Sequence, residues 1–91
     1  MQPTTIDSAL NGAIRVKQYR AGYRFSIDAF LLADFARPGP EDTVLDLGAG
    51  CGIIPLILAK RHPRLRIFGV EVQEALARLA QENANLAPVT N

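Results

Sequence analysis

Three glycines at alternate positions, in the run Asp46-Leu47-Gly48-Ala49-Gly50-Cys51-Gly52, sit between two apolar stretches and leave few folds open. Before them, Thr43-Val44-Leu45-Asp46-Leu47 is a short run with β-branched residues at its start, which predicts a buried parallel strand. After them, Ile53 to Ala59 opens a helix with Pro55 in its first turn, where a missing N–H does no harm. Lys60, Arg61 and His62 close that helix at the negative end of its dipole, and Pro63 stops it. A glycine loop between strand and helix is where open α/β sheets bind nucleotides, because the backbone must turn sharply and approach a ligand with no Cβ in the way.

The flanks extend the pattern. Leu65 to Val70 reads as the next strand, ending in Glu71. Gln73 to Leu86 reads as an amphipathic helix with Leu76, Leu79, Ala80 and Asn83 on one stripe. Upstream, the alternation Ile14, Arg15, Val16, Lys17, Gln18 predicts a short half-buried strand from Ala13 to Tyr19. Ala21-Gly22 permits a turn, and Tyr23-Arg24-Phe25 reads as a second short extended piece. Ser26 caps a helix from Ile27 to Ala36, carried by the stripe Ile27, Phe30, Leu31, Phe35 and favoured by Asp28 in its first turn. Pro38-Gly39-Pro40 ends it. Residues 1–12 are polar and mixed, end in Asn11-Gly12, a turn pair that often joins strands or opens one, and read as frayed. The tail 87–91 reads as the start of a loop.

The expected fold class is therefore α/β, a mainly parallel sheet with flanking helices. Residues 1–40 form a strand, turn and helix ahead of the sheet, and residues 41–91 supply its first two βα units. At 48% hydrophobic and 21% charged residues the chain is built to bury a core. Parallel sheets need both faces covered and usually more units than 91 residues supply, so the expectation is a truncated N-terminal part. Such a part exposes an unpaired edge and an apolar face, which favours self-association.

Two carboxylates frame the loop. A dinucleotide fingerprint, G-x-G-x-x-G, needs a glycine at position 53, where this chain has Ile53. Glu71, about twenty residues beyond the glycines, stands where a carboxylate accepts from the ribose hydroxyls of an adenosine ligand; that placement serves NAD equally. Asp46 discriminates. A carboxylate suits the amino group and sulfonium of S-adenosylmethionine, whereas beside a pyrophosphate it is repulsive. The competing reading makes these glycines and acids mere turn and cap residues of another α/β fold.

The segment Gly22-Tyr23-Arg24-Phe25-Ser26-Ile27-Asp28, continued through Phe35, together with Val44 to Leu56, resembles the bacterial family that methylates N6 of adenine 37 in valine tRNA, a class I methyltransferase group of the "small domain" type. The resemblance runs from about Ile14 to Asn85. It implies a Rossmann-like fold, a cytoplasmic enzyme of tRNA modification, and S-adenosylmethionine as cofactor. It implies further that Asp46, Gly48, Gly50 and Gly52 wrap the methionine part, that Glu71 holds the ribose, and that Tyr23 to Asp28, including Arg24, Phe25 and Ser26, closes over the cofactor. Core packing is the alternative for Tyr23 and Phe25, and an ordinary surface pair or helix-end charge the alternative for Arg24 and Asp28. The family's Asn-Pro-Pro-aromatic motif, which orients the target amine and stacks on the flipped base, has no counterpart among these residues, which hold no adjacent prolines. No catalytic residue is assigned, and the 91-residue chain alone is expected to be inactive.

Other readings remain. Relatives of the same fold methylate protein glutamine or ribosomal RNA. An NAD-dependent oxidoreductase domain and a non-catalytic binding module are the rivals from other classes. The formal charge of +1 decides nothing about nucleic acid, although Arg15, Lys17, Arg20 and Arg24 form one basic cluster and Lys60, Arg61, Arg64 and Arg66 another. The one cysteine, Cys51, has no nearby base and reads as a small loop residue; with it, no signal peptide and no apolar run near the roughly 18 residues of a bilayer crossing, a reducing cytoplasm is the expectation and no metal is implied. Asn83 and Asn85 read as helix-ending residues.

Overall fold

A computed structural model describes residues 3–9, 12, 14–21 and 24–86. Among these, seven elements follow in order: β1 (Thr4–Ala9), β2 (Ile14–Tyr19), α1 (Ile27–Ala36), β3 (Thr43–Leu47), α2 (Ile53–Arg61), β4 (Arg66–Val70) and α3 (Glu74–Leu86). The strands form two separate pairs. β1 and β2 are antiparallel, with Thr4 opposite Tyr19 and Ala9 opposite Ile14. β3 and β4 are parallel, with Thr43 opposite Arg66 and Leu47 opposite Val70, and α2 makes the crossover between them.

The first strand corrects the expectation that residues 1–12 are frayed. Its large apolar residue, Ile6, is half exposed, while the partly buried positions are the polar Thr5 and Asp7. No apolar alternation marks it; pairing with β2 makes it a strand. β2 keeps the expected period, burying Ile14, Val16 and Gln18.

The core gathers around α2. Ile53, Leu56, Ile57, Leu58 and Ala59 are all buried, so the helix is enclosed on most of its circumference. Around it lie Ile14 and Val16 of β2, Ala29 and Ala33 of α1, Leu65 just before β4, and Leu79 of α3. For α1 the range is as expected but the buried face is not. Ala29 and Ala33 face the core, with Phe30 partly buried, whereas Ile27, Leu31 and Phe35 of the expected stripe are 58–83% exposed. This helix is apolar nearly all round, so periodicity alone could not choose its side, and the small alanines allow close approach to α2. Ser26 caps it as expected, its hydroxyl accepting the Asp28 N–H.

The described residues cover the parallel pair on one face only. Val44 and Ile67 pack on the core, while Leu45, Leu47, Phe68 and Val70 are 45–74% exposed on the other side. The expected strands are present; burial on both faces is not. Of the remaining sequence readings, Asn11, Gly22, Tyr23 and the tail 87–91 lie outside the described residues. Arg24 and Phe25 pair with no strand.

Candidate adenosyl-ligand site

The glycine loop is folded by its neighbours before any ligand is considered. Gly48 and Ala49 both donate their N–H to the Val70 carbonyl, at 2.8 and 3.0 Å, which ties the loop to the end of β4. Gly52 donates to the Ala49 carbonyl at 3.0 Å and closes the turn into α2. Gly48, Gly50 and Gly52 have φ of 76°, 60° and 91°, the left-handed region that L side chains rarely adopt. At Gly52 there is a second reason for glycine. A Cβ there would lie 3.3 Å from the Ala80 side chain, a tight contact that α3 would have to yield to by a few tenths of an ångström.

At Gly48 and Gly50 the space is open: an added Cβ would meet nothing within 4 Å. They face a hollow of about 450 Å³, which Asp28, Leu32, Glu71, Gln73 and Leu76 also line. Glu71 is pinned at its rim. Its Oε1 accepts the Gly50 N–H at 2.8 Å and its Oε2 accepts the Gln73 N–H at 2.9 Å. The Gln73 and Gly50 N–H groups hold this carboxyl below the ordinary glutamate value. Each oxygen keeps a lone pair for another donor.

Asp46 lies behind the loop on β3, opposite Gly69. Its Oδ2 is buried and has no hydrogen-bond partner, the one such side-chain atom among the described residues. Desolvation pushes its pKa above the ordinary aspartate value. A buried acceptor left unpaired costs free energy, which a donor from outside the chain, a water or a ligand group, would offset. A cationic ligand group is such a donor. On this observation, together with the open face of Gly48 and Gly50 and the fixed Glu71, the residues present fit an adenosyl ligand with an ammonium.

The sequence-chosen residues are not all brought together; Asp46, behind the loop, lines neither the hollow nor the groove beside it. Asp28, Gly48, Gly50 and Glu71 share the hollow. Gly52 lines a neighbouring groove between α2, β4 and α3. Arg24, Phe25 and Ser26 do not line the hollow. Arg24 donates to the Tyr19 carbonyl at 2.7 Å and to Thr5 Oγ1 at 3.2 Å, and pairs with Asp7 at 3.0 Å. Phe25 donates its N–H to Gln18 Oε1 at 3.0 Å and sets its ring edge-on to Phe30. This segment is anchored to the β1–β2 hairpin, and its end carries Asp28 to the hollow.

Two residues were not singled out for these contacts. Gln18, buried, bridges Asp7 and the Phe25 N–H. Asn83, fully buried, bonds both to β2 and to the glycine loop; reading it as a helix-ending residue without a partner is corrected by these contacts. The signal available was its place on the apolar stripe of α3, since a polar side chain on a buried face needs partners. Asn85 accepts from Gln81. Cys51 is buried, and desolvation raises its thiol pKa, which fits a packing role. Among the described residues no cluster of His, Cys, Asp and Glu can hold a metal, and no helix is long and apolar enough to cross a membrane.

Residues 26–90 match the model of the methyltransferase small domain. Among curated proteins, the tRNA1(Val) (adenine(37)-N6)-methyltransferase of Pedobacter heparinus is 34% identical over 84 residues, which cover 87% of this chain and 36% of the relative. That of Aeromonas hydrophila is 37% identical over 84 residues, 86% of this chain and 36% of the relative. That of Proteus mirabilis is 47% identical over 58 residues, 63% of this chain and 23% of the relative. The chain thus spans about a third of the length of the first two. With a strand, glycine loop, helix, strand and acid in the order described above, the chain belongs to the methyltransferase small domain family.

Proposed function

We propose that this chain is the S-adenosylmethionine-binding part of a class I, Rossmann-like methyltransferase, with residues 41–91 as the first two βα units and residues 1–40 as the element ahead of them. The observation that carries this reading is the pairing of an open glycine loop with a pinned Glu71 and an unpartnered Asp46 oxygen around one loop. When bound, the cofactor supplies an electrophilic methyl group on a sulfonium. The chain's own part is to bind and orient it: Gly48, Gly50 and Gly52 give the methionine part close access to the backbone, Asp46 faces its ammonium, and Glu71 accepts from the ribose hydroxyls. Asp28 completes the wall, and Arg24, Phe25 and Ser26 act by holding Asp28 there.

Adenine N6 in a tRNA is the substrate we infer, because the relatives' names specify adenine 37 of a valine tRNA and the likeness covers most of this chain. An NAD site is disfavoured by Ile53, where that fingerprint needs glycine, and by the charge of Asp46. Calorimetric titration with S-adenosylhomocysteine and with NAD tests the reading. Saturable uptake of the first and none of the second is expected; uptake of NAD alone overturns it.

A further inference from the structure

Asn83 stands three-quarters of the way along α3, fully buried, and both hydrogens of its side-chain amide are used on backbone. Its Oδ1 accepts the Lys17 N–H at 2.6 Å and its Nδ2 donates to the Lys17 carbonyl at 2.8 Å. That is the pair of bonds a neighbouring strand would make, so the side chain serves as a one-residue strand on the free edge of β2. The second Nδ2 hydrogen goes elsewhere, to the Cys51 carbonyl at 2.8 Å.

A staple of α3 to the hairpin needs only the first two bonds. The third reaches the peptide between Cys51 and Gly52, in the middle of the glycine loop. The orientation of that peptide plane aims the Gly52 N–H at the Ala49 carbonyl and sits between the positive φ values of Gly50 and Gly52. The loop is therefore gripped from two sides: Glu71 takes the Gly50 N–H at the rim of the hollow, and Asn83 takes the next residue's carbonyl from within the core.

We propose that Asn83 is a positioning residue for the cofactor site, which sets the Cys51–Gly52 peptide so that the glycine loop is in its ligand-binding shape before the ligand arrives. The inference rests on the adenosyl-ligand reading given above. It follows from the cost of the alternative conformation: with the amide gone, a buried carbonyl loses its donor and the peptide is free to turn toward water, carrying the Gly52 N–H away from Ala49. Asn83→Asp keeps an acceptor for Lys17 but loses both donated bonds, and places a carboxylate against two carbonyl oxygens. Asn83→Ser keeps the site neutral but falls short of the loop.

The test compares these two variants with Leu79→Val, a mild core change one turn earlier on α3 that leaves the Cys51 carbonyl alone. In the 91-residue chain, Asn83→Ser and Asn83→Asp are expected to weaken S-adenosylhomocysteine binding by about tenfold or more, measured below their unfolding temperatures. Leu79→Val should bind within about twofold of the unaltered chain, whatever its thermal midpoint. Folded Asn83 variants that bind like the unaltered chain overturn the proposal. Should neither variant fold, NMR of the unaltered chain decides: S-adenosylhomocysteine should slow exchange of the Asn83 side-chain amide hydrogens, and no change refutes the coupling. Should the unaltered chain take up no S-adenosylhomocysteine, the cofactor reading fails by itself. The positioning claim is then read without ligand, from whether the Gly50 and Gly52 amide resonances move in Asn83→Ser and stay in place in Leu79→Val; resonances that do not move overturn it.

Discussion

Asp7 and Asp46 are both strand aspartates at partly buried positions, and their surroundings are opposite. One oxygen of Asp7 accepts from Thr5, from Gln18 and from Arg24, and the hydrogen bonds of Gln18 and Thr5, then the charge of Arg24, hold its carboxyl below the ordinary value. One oxygen of Asp46 is buried with no donor among the described residues, and desolvation pushes its carboxyl the other way. The first carboxylate is satisfied by the fold and organises the hairpin. The second is left unpaired by the described residues, and in the proposed function a cationic ligand group satisfies it. A chain that stabilises one acid so fully and leaves the other unpaired separates structural from binding work, and substitutions can test that division.

The largest difference is expected in ligand affinity. On the proposed function Asp46→Asn removes the charge that meets the ligand's ammonium, a charge-assisted contact worth about 3 kcal/mol, and should weaken S-adenosylhomocysteine binding roughly a hundredfold by calorimetry. Asp7→Ala should leave affinity unchanged. A hundredfold loss in Asp7→Ala, with none in Asp46→Asn, would reverse the assignment of the two acids.

Stability should separate them in the opposite sense. Asp7→Ala leaves the buried Gln18 amide without its acceptor and Arg24 without its counter-ion, and is expected to lower stability by about 1–2 kcal/mol in urea unfolding. The solvent at the edge of this network keeps the figure well below that of a dry ion pair. Asp46→Asn should not lower the stability of the ligand-free chain at neutral pH, because it removes a carboxylate that folding desolvates. If Asp46→Asn unfolds at lower urea than Asp7→Ala, the orphaned oxygen has a partner within the chain and the argument from desolvation fails.

How much of this was legible in the sequence depends on whether the signal was local. The order of β3, glycine loop, α2, β4 and α3 could be read because glycine spacing, Pro55, Pro63 and the stripe Leu76, Leu79, Ala80, Asn83 are each local statements of a backbone preference. β1 could not be read, since its inward residues are polar and only the pairing with β2 defines it. Nor could the buried side of α1, where almost every residue is apolar and the choice of Ala29 and Ala33 belongs to the fit against α2. For the site, Gly48, Gly50 and Glu71 followed from spacing, but the reach of Asn83 to Lys17 across 66 residues did not. Arg24 shows the same limit from the other side. The family resemblance placed it with the ligand residues, and its guanidinium is spent on Asp7 and the Tyr19 carbonyl.

The smallest expected effect, and the most direct reading of the two acids, is in how thermal stability follows pH. Asp7 and Glu71 have folded values below their unfolded ones of 3.8 and 4.5, so each contributes stability that is present above those values and lost as pH falls through the lowered ones. Asp46 has its folded value above 3.8, so it contributes a penalty instead, absent in acid, appearing as pH rises past 3.8 and complete once pH exceeds the raised value. The difference in thermal midpoint between Asp46→Asn and the unaltered chain should therefore grow in favour of the variant as pH climbs from below 3.8 toward neutrality and then level off, while the difference between Asp7→Ala and the unaltered chain should grow against the variant over the acid range. Saturating S-adenosylhomocysteine should close the Asp46 gap from above, because the bound ammonium supplies the donor that the fold withholds. A gap that is flat with pH would mean that Asp46 is as well solvated as an exposed aspartate, and would remove the physical reason for placing a cation beside it.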